Sequence, residues 1–173
     1  MEVSVTKFDT LSKVLHWLSA VVILWATFSG LFLVAVKGEG EWKLLISEFN
    51  VSLTTAFIPI FCVRIVHAVR TVRPCYQGKL SAAQILCVRY VHMTMYLLAM
   101  LLFISGLLMM RSEFQVFGLI TIPPLIEHTQ ASMFFSRVHR YVSYALTVLI
   151  ILHVLAVILH QRAGKKILQR MLW

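Results

Sequence analysis

Four long apolar runs, parted by polar or Gly- and Pro-bearing stretches, organise this chain. Crossing the hydrocarbon layer of a membrane takes about 20 consecutive apolar residues. The runs predict spans near residues 13–36, 47–69, 88–110 and 138–161. The first run is read as a span rather than a cleavable signal. It is long, carries His16 and Trp17 near its start and lacks a small-residue cleavage site. Residues 37–46, KGEGEWKLLI, predict a tight turn whose glycines end the first span. Residues 70–87 predict a second loop, broken by Pro74 and Gly78. Residues 111–137 form the longest connection, with Phe117-Gly118-Leu119 and Pro123-Pro124. That connection is apolar for a loop and is expected to lie across the outer mouth of the bundle, with a short interfacial helix as its candidate form. The predicted fold class is an all-α integral membrane four-helix bundle, one domain over residues 1–173.

Composition agrees with this pattern. The chain is 60% hydrophobic and only 13% charged, which separates it from soluble domains of the same length. Charge adds orientation. Eleven of the 16 Lys and Arg residues fall on the side shared by the two termini and the second loop: Lys7, Lys13, Arg64, Arg70, Arg73, Lys79, Arg89, Arg162, Lys165, Lys166 and Arg170. The other side holds Lys37, Lys43, Arg111, Arg137 and Arg140. Glu2 and Asp9 lie on the basic side, whereas Glu39, Glu41, Glu48, Glu113 and Glu127 lie opposite. The positive-inside rule then predicts both termini in the cytoplasm. The net charge of +9 is thereby read as topology, and no basic–aromatic ladder points to nucleic acid. Cys62, Cys75 and Cys87 are unevenly spaced and form neither CxxC nor CxxCH, so neither a disulfide nor a covalently attached haem is expected.

The candidate chemistry lies in the histidines. His139 and His153 are fourteen residues apart in the last span, close to a whole number of turns, and so share one helix face about 21 Å apart along the axis. Ionisable groups inside a span usually mark a site, and neutral imidazole is a common axial ligand of haem iron. His16, near the start of the first span, lies at a depth comparable to that of His153, so the pair predicts bis-imidazole ligation at the inner leaflet. The alternative for each ring is a hydrogen bond to a carbonyl or a serine. His139 lies near the outer start of the last span, where no second span offers a histidine; Asn50 occupies the outer part of span two. Three readings of His139 stay open: a haem with one protein ligand, a haem with another ligand, or no haem. His67, His92, Arg64 and Arg89 sit near the inner ends of spans two and three, as a basic pocket for haem propionates or a quinone head group, or as charges snorkelling to the interface. His160 is read as a pocket cap or a head-group contact, and His128 as solvated, with a partner contact or the missing outer ligand as its alternatives. Met93, Met95, Met100, Met109 and Met110 are read as packing. Ser29-Gly30 and Ser105-Gly106 are read as sites of close helix approach.

Several stretches carry a resemblance: LHWLSA at 15–20, VRIVHAVRTVRP at 63–74, HMTMYLLAMLLFISGLLM at 92–109, VFGLITIP at 116–123, VHRYVSYALTVLIILHVLAVILH at 138–160 and KKILQRM at 165–171. Together and in this order they resemble the four-helix bacterial cytochrome b561 family. The resemblance implies two b haems stacked across the membrane, with His16 and His153 as the inner-haem ligands and His139 as one ligand of the outer haem. It implies that the family's remaining ligand histidine falls at Asn50, and that a glycine four residues later falls at Thr54. Both departures count against the outer site, and one haem per chain is expected. The implied activity is electron exchange between the membrane quinone pool and a redox partner or small oxidant. One branch of the family oxidises superoxide and reduces ubiquinone. An outer haem lost from this chain would lengthen the electron gap, and an open iron position would permit ligand chemistry. The competing reading is a membrane anchor or accessory subunit of a larger respiratory or photosynthetic complex, with a structural or vestigial haem. The expected location is the bacterial inner membrane. A channel or transporter fits less well, because the spans lack paired acidic residues and interrupted helices.

Overall fold

The computed structural model describes residues 7–38, 40–72, 74 and 80–173. Arg73, Cys75, Gly78, Lys79, Glu2 and Glu39, which entered the topology and loop readings, lie outside the described residues. The architecture is four long helices: α1 (Thr10–Ala35), α2 (Glu41–Arg70), α3 (Ala82–Leu108) and α4 (Thr129–Arg162). All four are long and apolar enough to cross a membrane. Most of their large apolar side chains face outward, including Val21, Phe28, Val69 and Leu159, as lipid-facing surfaces require.

Three connections differ from the predicted ones. The tight turn expected at 37–46 is shorter, because α2 already starts at Glu41. The loop expected at 70–87 ends sooner, because Ser81 and Gln84 form a reciprocal capping box that starts α3 at Ala82. The 111–137 connection contains no interfacial helix. It forms a β-hairpin of β1 (Phe114–Val116) and β2 (Ile120–Ile122), with Val116 paired to Ile120, and α4 then starts at Thr129, nine residues ahead of the expected span. The physical reason is legible in the residues. Phe117 and Gly118 both take positive φ, 51° and 70°, as a tight primed hairpin turn requires, and glycine reaches that region without steric cost.

Ser52 holds the hairpin to α2. Its buried hydroxyl donates to the Gln115 carbonyl at 3.1 Å and accepts from the Phe117 N–H at 3.1 Å. Ser52→Ala leaves both backbone groups without that partner. The expected outcome is a loss of about 1–3 kcal/mol, read as a lower Tm of the detergent-solubilised protein and faster amide exchange at Phe117.

Helix α1 packs along α2, and α3 along α4; the two pairs meet through α2 and α3, while α1 and α4 stand apart. The core is made of Val22, Phe57, Phe61, Ala99, Leu102, Phe103 and Leu146. At its centre Phe61 meets Phe103 edge-to-face at 5.2 Å, with Phe57 and Tyr96 about 6 Å away. Pro59 lies inside α2. Lacking an N–H, it leaves the Thr55 carbonyl without its helical donor.

The two chain ends meet at the opposite pole from the hairpin, called here the terminal end. The Trp17 indole N–H donates to the Met171 carbonyl at 3.0 Å, and the Phe8 N–H to the Arg170 carbonyl at 3.2 Å. Arg170 also donates to the Pro74 carbonyl.

Candidate functional site

Two cavities flank the aromatic core, and α2 contributes to both. Asn50, Thr54, Thr55 and Ile58 line the hairpin-end cavity, whereas Arg64, His67 and Thr71 line the terminal-end pocket. Phe61 lies between these two sets on the same helix, and Phe57 stands within the stretch of the first.

The terminal-end pocket, about 100 Å³, is lined by His16 of α1, Arg64 and His67 of α2, His92 and Tyr96 of α3, and Met171 of the tail. Arg64 donates to His16 Nδ1 at 3.1 Å. A guanidinium only donates, so Nδ1 is the bare nitrogen and the ring hydrogen sits on Nε2. Arg64 also stacks over the Tyr96 ring at 5.1 Å. His153 of α4 meets His92 of α3 edge-to-face, with centroids 5.2 Å apart. His16 lies within electrostatic reach of Arg64, His153 and His92. The structure thus brings His16, Arg64, His92 and His153 into one neighbourhood, although His153 reaches it behind His92 and does not itself line the pocket.

Arg89 does not join them: it is exposed on α3 and lines neither cavity. His160 also lies outside both cavities, and His128 is exposed at the position preceding α4. Sequence reasoning missed Tyr96, the contact of His92 with His153, and Asp9. Asp9 caps α1 by accepting from the Ser12 N–H at 2.8 Å, and it pairs with His67 Nε2 at 3.1 Å. An acidic residue three positions before a serine at the head of an apolar run was the available signal.

Asp9 also sets an acid limit. Partial burial acts to raise its pKa, but hydrogen bonds from Ser12 and the nearby His67 outweigh it and lower the carboxyl to about 2, from an ordinary 3.8. A depressed carboxyl contributes stability that is complete above the unfolded value and is lost as pH falls through the folded one. The expected outcome is that wild type loses Tm between about pH 4 and 2 more steeply than Asp9→Asn, in parallel melts of the solubilised proteins.

The hairpin-end cavity is larger, about 340 Å³, and draws walls from all four helices. His139 Nδ1 lies 3.1 Å from the Leu102 carbonyl and 3.3 Å from the Ser105 hydroxyl oxygen. A carbonyl only accepts, so Nδ1 carries the hydrogen and Nε2 keeps its lone pair. A backbone carbonyl behind Nδ1 is the usual support of a metal-ligating imidazole. Gly106 lets the ring sit close to α3: a Cβ there would stand 3.3 Å from His139 Cε1. Asn50 shares the cavity, and its Oδ1 is buried with no hydrogen-bond partner among the described residues. Thr54 turns its hydroxyl back onto the Asn50 carbonyl at 2.7 Å.

Among the described residues no three His, Cys, Asp or Glu side chains converge as a bare metal ion would require. Paired imidazoles without further ligands suit an iron whose four equatorial nitrogens come from a macrocycle. The helices that stand apart, the glycine-floored cavity and the carbonyl-backed His139 all fit such a flat group.

Comparison with known proteins agrees with this geometry. The chain is similar to cytochrome b561 homolog 2 of Escherichia coli (strain K12), with 25% identity over 171 residues, which cover 96% of this chain and 91% of that protein. The profile of the prokaryotic cytochrome b561 family matches residues 7–173. Four apolar helices, transmembrane histidines and a family match over nearly the whole length lead to one conclusion: the chain belongs to the prokaryotic cytochrome b561 family, as a multi-pass membrane haem protein of transmembrane electron transfer.

Proposed function

We propose that the chain passes electrons between quinone in the bacterial inner membrane and a redox partner or small oxidant, using a haem b held by His16 and His153. The observation that carries this reading is the placing of these two histidines on α1 and α4, the helices that stand apart, with Arg64 bonded to His16 at 3.1 Å. When bound, the haem supplies a reversible one-electron change whose potential follows axial ligation and burial.

The chain's own residues do the rest. His16 binds iron through Nε2 only when its proton sits on Nδ1. Holding iron through Nε2 would therefore require Arg64 to leave His16 Nδ1, and its guanidinium would then be available to an anionic propionate or a quinone oxygen. Tyr96 keeps that guanidinium in place by stacking. His67, paired with Asp9 and bonded to the Thr71 hydroxyl at 3.2 Å, holds an exchangeable proton on the wall of the same pocket. The exposed apolar faces of the helices contact lipid, and the basic terminal end faces the cytoplasm.

The test is rapid mixing of the oxidised, solubilised protein with a short-chain quinol, followed by haem absorbance. Wild type is expected to be reduced, and Arg64→Leu to be reduced about tenfold more slowly, roughly the 1.4 kcal/mol of one charge-assisted hydrogen bond. An unchanged rate in the variant removes Arg64 from the quinone site, and no reduction of the wild type removes quinone from the proposal.

A further inference from the structure

We infer that the hairpin-end cavity holds a haem with a single protein ligand, His139, and binds small diatomic iron ligands of the carbon monoxide and cyanide class beside Asn50. This rests on the reading that the chain binds haem, and it goes beyond the site at the terminal end.

Three observations converge. The cavity volume of about 340 Å³ falls within the range of about 300–1,000 Å³ typical of small-molecule and cofactor sites. His139 is fixed in the ligating tautomer by the Leu102 carbonyl, and among the described residues no hydrogen bond engages its Nε2. Among the described residues no second imidazole lines this cavity, and the side chains that α2 supplies there are Ser47, Asn50, Val51, Thr54, Thr55 and Ile58. None of these is a good ligand of haem iron, so α2 would supply no second ligand and an outside molecule could reach the iron unless Met109 took its place.

Asn50 gives that molecule a polar partner. Its buried Oδ1 has no hydrogen-bond partner among the described residues, and a buried polar atom left unpaired costs about 1–3 kcal/mol. Such a group calls for an explanation, and a ligand bound in the cavity supplies one. The amide offers an acceptor oxygen and two N–H donors, and either end can turn toward a bound ligand. Met109 also borders the cavity, and its thioether is the rival for the open position.

The experiment is haem quantification per chain, together with a carbon monoxide difference spectrum of the reduced, haem-replete, full-length protein. The letters at Asn50 and Thr54 alone lead to one haem per chain; the cavity and His139 lead instead to two, one of which binds carbon monoxide. His139→Ala is expected to lose one haem and all carbon monoxide binding while the other haem keeps its spectrum. Asn50→His is expected to keep both haems and to weaken carbon monoxide binding at least tenfold, because an imidazole closes the position. Asn50→Leu is expected to keep both haems and raise the cyanide Kd about 2- to 10-fold, the worth of one hydrogen bond. One haem per chain, unaffected by His139→Ala, overturns the inference and leaves the proposed function standing. Two haems that both refuse carbon monoxide also overturn it, and recovery of binding in Met109→Leu then assigns the sixth ligand. Protein without any haem contradicts the proposed function itself.

Discussion

Alanine in place of His153 is expected to abolish the low-spin, carbon monoxide-unreactive haem component completely, and His16→Ala is expected to do the same. The reason lies in how the helices are paired. Helices α1 and α4 lack close packing against each other, so a group held by both His16 and His153 would tie together two helices that otherwise meet little. With one ring gone, that tie has one anchor. Reduced-minus-oxidised spectra of each variant, normalised to protein, read the effect. His92 provides an internal control, since its ring lies 5.2 Å from that of His153. If His153→Ala keeps the component and His92→Ala loses it, the ligand on this side is His92.

Phe61→Ala is expected to give the largest loss of stability. Phe61 is 1% exposed and touches Phe57, Tyr96 and Phe103. Lipid tails are as apolar as the core, so helix association in a membrane relies on tight packing more than on expulsion of water. Removing a buried ring forfeits that packing and leaves a void, at a cost of about 3–5 kcal/mol. Phe61 also lies between the residues of α2 that line the two cavities. Phe61→Ala is therefore expected to lower the Tm and to loosen haem retention together, whereas Phe61→Leu keeps most of the volume and most of both. A Tm within about 1 °C of wild type would show that the partition is not structural.

The four spans were legible because an apolar run of some 20 residues in a chain this hydrophobic has few other uses. Their ends were less so. The capping pair of Ser81 and Gln84 was missed inside an expected loop, and an N-terminal extension of α4 to Thr129 is polar enough to pass for connection. The β-hairpin went unread although F-Q-V and I-T-I alternate around Phe117-Gly118-Leu119, because strands of three residues are too short for that alternation to stand out. In the site, the fourteen-residue spacing of His139 and His153 and the position of His16 could be read from the letters. What surrounds each ring could not. The Leu102 carbonyl behind His139, the Arg64 guanidinium on His16 and the His92 ring against His153 depend on how neighbouring helices rotate, which a single sequence does not encode locally. Asn50 shows the same limit: its letter says only that imidazole is missing there, whereas its buried, unpartnered oxygen depends on the cavity around it.

The most direct test of ligation at the terminal end is a density map of the haem-loaded protein. The expected map has iron between the His16 and His153 rings, in the gap between α1 and α4, with Arg64 turned away from His16 Nδ1. A map with both rings directed into lipid, or with the Arg64–His16 bond intact and no iron beside it, would contradict the account.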